Sequence, residues 1–354
     1  MNKELEKQII LTLKPFSTKN MYKAVLQMIT SFVPFIALWF LAFHLWDVTL
    51  LGSVLIMIIN AFFLVRIFII QHDCGHHSFF DPKKYAFIQS FVGWVSSVFS
   101  SLPFTYWATV HHHHHVHTGQ LEERDIGDLD FMTVDEYRNA SVIKKFGYRI
   151  FRHPIILFVF APIVYFLFNN RWPLFFSFEK MTIQVRWSQV LNNLLIIGVY
   201  FVGVLLFGWK FLIIQTGTLF FFAMIAIWFF YVQHAHEQTY QKWYKRGEWD
   251  FVPAALQGAS RYNIHPIFHW LTGNIGYHHL HHLNPAIPSY NLVAADEATF
   301  SELSSIIQNL SFIESLDCMY NHLWDEDLEK YISFREFYGR GYWLLAAGYP
   351  DRFF

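Results

Sequence analysis

A chain of 354 residues has room for one large domain or two ordinary ones. It is 54% apolar, with 40 Phe and 13 Trp against 15% charged residues, more than a soluble core needs. A net charge of -1 without a basic, aromatic-interleaved stripe excludes a nucleic-acid partner, and two cysteines, Cys74 and Cys318, exclude a disulfide framework.

In chain order, residues 1–25 carry Lys3, Lys7, Lys14, Lys19 and Lys23 on an amphipathic background without the compact layout of a signal peptide. They read as a cytosolic arm, lying either on an anionic membrane surface or in solvent. Residues 28–46 form a first apolar span and 49–70 a second, joined by so short a turn that the two must be an antiparallel hairpin. Arg66 falls near the exit of the second span, where its stem is expected to snorkel to the interface, and His44 reads as an interfacial residue. Residues 85–104 are apolar but weakened by Gly93, Ser96, Ser97, Ser100, Ser101 and Pro103; residues 155–168 are apolar but short for a span. Spans three and four are expected at 190–207 and 211–232, turning at Gly208-Trp209-Lys210.

Histidines mark the ends of these runs. Thirteen of the 20 lie in three clusters: His72, His76 and His77; His111 to His115 with His117; and His278, His279, His281 and His282. If the clusters build one site they share one side of the membrane, which two out-and-back hairpins achieve provided 85–104 and 155–168 do not cross. The basic residues Arg138, Lys144, Lys145, Arg149, Arg152, Arg171, Lys180 and Arg186 and the N-terminal lysines then face the cytosol, and only Lys210 marks the outer turns. The expected fold is an all-α membrane protein, one domain over 1–354. Four transmembrane helices form two hairpins, with interfacial helices and a cytosolic histidine-rich cap over 71–189 and 233–354. Cys74 inside a cluster agrees with a reducing, cytosol-facing site.

The spacing carries the chemistry. Residues i, i+3 and i+4 share a helix face; His72 and His76 stand at i, i+4, while His111, His114, His115 and His278, His281, His282 repeat i, i+3, i+4. Imidazole is the commonest transition-metal ligand, and eight exceed what one tetrahedral ion uses, so two metals are implied. His234 and His236, just past the fourth span, are each placed to complete a coordination sphere. His265 and His269 are also i, i+4, but Pro266 interrupts the face, which favours a supporting role; His153 and His322 read as surface residues.

At these residues the chain resembles the integral-membrane fatty acid desaturases. His72-x3-His76, His111-x2-His114-His115 and His278-x2-His281-His282 look like that family's three histidine boxes. Leu121-Glu122-Glu123-Arg124, Tyr231-Val232-Gln233-His234, Leu271 to Tyr277 and Asn284-Pro285-x-Ile287-Pro288 resemble later segments of bacterial acyl-lipid desaturases of the delta-5 and delta-12 type. The resemblance implies two iron ions, O2 as co-substrate, and electrons from a separate ferredoxin, flavodoxin or cytochrome. Carried over residue by residue, it implies His72, His76, His111, His114, His115, His234, His278, His281 and His282 as metal ligands. It further implies an acyl-lipid substrate reached through an apolar tunnel and residence in a bacterial cytoplasmic membrane. Acidic residues in 122–136 are candidates to orient the imidazoles. The chain departs from the family by filling box two with His112 and His113 and by adding His77 and His117. A hydroxylase of the same superfamily would share every ligand and differ in its product. A metal transporter would place ligands at mid-span, and a sensory or structural protein would not need so many.

Overall fold

Each of the four long apolar runs becomes a helix. In the computed structural model, which describes residues 3–124, 126–166, 171, 181–236, 243–244 and 247–339, α1 (Lys3–Leu13) precedes the hairpin of α2 (Met21–Leu45) and α3 (Leu50–Gly75). Asn20 starts α2 by accepting from the Lys23 amide at 3.1 Å, and Thr49 starts α3 by accepting from Gly52, each satisfying a bare helix-start donor. Next come α4 (Pro82–Ser100) and α5 (Phe104–His117), then α6 (Val134–Asn139), α7 (Val142–Phe151) and α8 (Ala161–Val164). The second hairpin is α9 (Ile183–Phe207) and α10 (Trp209–His234).

These spans outrun the apolar windows that betray them. Helix α9 begins at Ile183 rather than Val190, because Gln184, Arg186 and Gln189 dilute hydropathy yet are good helix formers. The two hairpins stand side by side: Lys210, in the turn of one, pairs with the carboxylate of Asp47 in the turn of the other. Between them Phe35, Trp39, Met57, Leu64 and Phe222 form a shared core, while Leu191, Leu194, Phe201, Leu205 and Leu206 stay exposed. An apolar helix with an apolar outer face suits a lipid surround.

Among the described residues, four helices are long and apolar enough to cross a membrane, as expected. Two further apolar pairs are broken: α4 meets α5 at 97°, and Val142–Phe151 meets Ile156–Val164 at 66°. The first break sits at Ser101, whose φ of 56° lies in the left-handed region, followed by Leu102 and Pro103. It is closed by Gly93, where a Cβ would stand 2.4 Å from the Phe104 ring. A right-angle turn carries α5 away from α4 and delivers its histidines to the end of the bundle where α3 stops.

The cap adds α11 (Phe251–Gly258), α12 (Pro266–Leu271), α13 (His278–Leu283) and α14 (Leu292–Leu303). Short strands, not expected in an all-α fold, stitch it together. β1 (Met132–Thr133) runs parallel to Leu323–Asp325, which pairs antiparallel with Lys330–Ile332, and Arg261–Asn263 runs parallel to Asn309–Ser311.

Three expectations need correction. Helix α1 neither floats in solvent nor rests wholly on lipid: Ile9 and Leu13 are fully buried against Val252, Leu256 and Leu303 of the cap. Arg66 does not snorkel. It is 4% exposed, lies 3.9 Å over the Trp270 ring, donates to Ser31 Oγ at 3.2 Å and reaches the Trp270 carbonyl, because α12 comes in beside α3 and supplies acceptors at that depth. His322 is no plain surface residue; its ring stacks on Phe334 at 4.2 Å and its Nδ1 accepts from the Phe334 amide. Lys180 and Asp125 lie outside the described residues.

Candidate metal centre

Four helix segments end at one place. The last turn of α3 brings His72 and the cap position His76; α5 brings His111, His114 and His115; the end of α10 brings His234; α13 brings His278, His281 and His282. A helical stripe at i, i+4 stacks its imidazoles along one face, and facing stripes make two groups. His72, His76, His111, His115 and His281 each offer a ring nitrogen within 4.8 Å of the others, and His114, His234 and His282 do the same. His278 joins the second group, its Nε2 2.9 Å from that of His234 and 3.1 Å from that of His282. All nine residues singled out by spacing and resemblance are thus brought together. His236 is buried but belongs to neither group, and His77 and His112 are exposed.

The Nε2 atoms face inward in close pairs: His72 with His281 at 3.0 Å, His115 with His111 and with His281 at 3.0 Å each, and His114 with His282 at 3.3 Å. Carboxylates and carbonyls only accept, so the His72 Nδ1–H donates to Asp73 Oδ1 (3.0 Å) and the His234 Nδ1–H to the Gly258 carbonyl (3.1 Å). Each of these rings then presents an Nε2 lone pair to the centre. Burial, and after it the crowd of neighbouring imidazoles, pushes His76, His111, His115, His281 and His282 well below the usual histidine range. They stay neutral near pH 7, the form that binds metal.

Supporting groups were only partly foreseen. Asp128 Oδ2 lies 3.4 Å from His114 Nδ1, within the acidic stretch expected to orient imidazoles. Asp73 was missed although it stands beside His72; its second oxygen accepts from the Ser289 amide at 2.7 Å, tying box one to the segment after box three. Its adjacency to a cluster was the available signal. Trp107, one turn before His111, stacks on that ring at 4.5 Å and 19°. His265 and His269 lie outside both groups. His265 Nδ1 caps α12 by accepting from Ile267, and His269 stacks on Tyr277 at 4.5 Å, pushed down to about 4 by burial and then by Arg261.

The loop holding Asp128 can come so close only because Gly127 precedes it. Gly127 has a φ of +73°, and a Cβ there would lie 2.9 Å from the Val110 carbonyl and 3.4 Å from His114 Cβ. Replacing Gly127 by Ala is expected to cost about 1–2 kcal/mol for the left-handed conformation alone. It should also draw Asp128 off His114, seen as a lower unfolding midpoint in detergent together with weaker metal retention.

A cavity of about 300 Å³ abuts the histidines. His72, His111 and His278 line one side, and Val65, Phe68, Phe166, Ile225, Ala226 and Phe229 line the rest. Its wall is mostly hydrocarbon, with Asp128 and Gln233 among the few polar groups beside the histidines.

The comparisons with known proteins now bear on this arrangement. A family model described as fatty acid desaturase matches residues 48–305. A fatty acid desaturase of Bacillus subtilis is 38% identical over 335 residues, 94% of this chain and 91% of the relative. The chain belongs to the fatty acid desaturase family. An sn-1 acyl-lipid omega-3 desaturase (ferredoxin) of Nostoc is 27% identical over 66% of this chain and 63% of its own. An endoplasmic-reticulum omega-3 fatty acid desaturase of Vigna radiata is 30% identical over 67% and 62%. As a desaturase, the protein is an oxidoreductase of lipid metabolism that introduces double bonds into fatty acyl chains.

The desaturase family implies iron, and the donor set fits it. An ion bound about 2.1 Å from each of two imidazoles at right angles sets their nitrogens about 3.0 Å apart. The inward Nε2 pairs stand at 2.9–3.3 Å. Two neutral imidazoles whose lone pairs meet at that distance repel unless a cation or a proton lies between them.

Proposed function

We propose that the protein is an O2-dependent acyl-lipid desaturase whose nine converging histidines hold two iron ions. His72, His76, His111, His115 and His281 would hold one, and His114, His234, His278 and His282 the other. The observation that carries this reading is the two groups of inward Nε2 atoms at the wall of an apolar cavity. Two bound irons, with O2 as co-substrate and electrons from an external donor, supply the oxidation that takes a hydrogen from each of two adjacent methylenes.

The chain itself positions and shields. An alkyl chain offers no polar handle at the reacting carbons, so the cavity must hold it by shape; Phe68, Phe166, Ile225 and Phe229 exclude water along it. Its hydrogens then pass beside His72, His111 and His278. Asp73 and the Gly258 carbonyl hold ring orientation through Nδ1, which keeps Nε2 aimed inward, and Asp128 sets its charge 3.4 Å from the Nδ1 of His114. The substrate is an acyl chain carried on membrane lipid, and the donor a ferredoxin, flavodoxin or cytochrome of the cytosolic side. The chain forms one domain over 1–354, with cap and spans contributing to a single site. It resides in a bacterial cytoplasmic membrane with both termini and the centre cytosolic, as the distribution of basic residues favours.

Expression in a bacterium lacking the product, with lipid fatty acids read by mass spectrometry, tests the activity. A new double bond is expected; saturated lipids only, or hydroxylated chains, under ample iron, oxygen and reductant overturn it. For orientation, alkaline phosphatase fused after Val48 should be active, as an outward turn requires. A cytosolic signal from that fusion reverses the topology.

A further inference from the structure

Two of the histidines that the two groups leave over form a third cluster with a glutamate. His113, His117 and Glu123 each offer a donor atom within 4.8 Å of the others. At about 100° per residue, His111, His114 and His115 share one face of α5, while His113 and His117 sit about 200–240° round from His111, on the far face. The extra residues of the run therefore look away from the site already described. His113 and His117 stack at 4.0 Å and 16°, one turn apart. The His117 Nδ1–H donates to the His113 carbonyl at 3.0 Å, which fixes its tautomer and leaves Nε2 as a lone-pair donor. Glu123 comes from the short 3₁₀ turn Leu121–Glu123, its Oε2 3.7 Å from His113 Nε2. That separation is too long for a hydrogen bond. It is close to the roughly 3.4 Å between two ligands of a tetrahedral ion.

We propose that His113, His117 and Glu123 form a separate, solvent-accessible site for one divalent first-row transition ion. Two imidazoles and a carboxylate suit Zn²⁺ and Fe²⁺, and three protein ligands leave positions for water. His113 is buried but His117 and Glu123 are half-exposed, so the ion exchanges with solution, unlike ions held by the enclosed groups. Occupancy ties the far face of α5 to the segment leading to Gly127 and Asp128, and so bears on the loop that orients His114.

The full-length protein in detergent, with its iron in place, is titrated with Zn²⁺ alone by calorimetry while iron is counted by elemental analysis. One weak Zn²⁺ per chain is expected beyond the resident iron. His117→Ala and Glu123→Gln should each weaken it by more than the roughly 10–100-fold that loss of an outer partner costs, with iron content unchanged. His112→Ala, one residue off this face, should leave it as it was. Unaltered Zn²⁺ binding in both site variants, or an equal loss in His112→Ala through capture by the histidine run at large, overturns the proposal. So does loss of iron in His117→Ala, which would place the residue in the main centre. Because Zn²⁺ binding and iron content are read separately, failure of the two-iron reading shows as an iron count other than two, whatever the third site does.

Discussion

His114→Ala is expected to abolish double-bond formation, whereas His112→Ala keeps it near the parent level. The two residues are two positions apart in an unbroken run, and composition cannot separate them. Geometry does: His114 is 1% exposed with Nε2 3.3 Å from that of His282, while His112 points outward. Removing a buried imidazole takes one ligand from a group of four and leaves Asp128 facing an empty space. Metal ligands act as a unit, so the remaining members do not retain a proportional share of the activity. The outer-shell variant Asp128→Asn should fall between, with on the order of 10–100-fold less activity. Product yield by mass spectrometry and iron per chain together decide. Activity lost in His112→Ala and kept in His114→Ala would shift box two by two residues and with it every assignment on α5.

How far the sequence reveals this arrangement depends on the range of the interaction involved. The spans and the histidine spacing are legible because they are periodic along one chain: hydropathy marks α2, α3, α9 and α10, and i, i+3, i+4 marks the ligand stripes. The helix starts at Met21 and Ile183 are less so, since their polar first turns carry helix propensity without hydropathy. What the sequence hides is partnership across long separations. Arg66 reads as an interfacial residue until α12, 204 residues on, is seen to offer the Trp270 carbonyl. Asp73 reads as a charge at a helix end until the Ser289 amide, 216 residues on, is seen to fix it against His72. The amphipathic α1 had two plausible resting places, and the true one, against Val252 and Leu303 of the cap, has no local signal. The division of nine histidines into two groups is likewise tertiary, because His115 and His114 are neighbours in sequence and face different groups.

Ala226→Phe should lower product yield by about 10–100-fold while leaving iron content intact. Ala226 lies on α10 between Ile225 and Ile227, in the wall of the cavity, with the smallest side chain of the α10 residues that line it. A phenyl group projecting into a space of about 300 Å³ takes volume that a substrate chain needs. Overfilling a packed apolar site costs about 1–3 kcal/mol, and each 1.4 kcal/mol is a factor of ten in binding or rate. The span itself should tolerate the change, since Phe is common along α10 and the substitution keeps its hydropathy. Unlike a ligand variant, this one separates positioning from chemistry: metal stays, donor electrons still arrive, and only the alkyl chain is displaced. Shorter acyl chains should therefore lose less than longer ones, because they leave room for the ring. Equal loss across chain lengths, or no loss at all, would mean that the acyl chain does not lie in this cavity. The specificity of the enzyme would then have to be sought in one of the apolar grooves between α2, α4, α9 and α10.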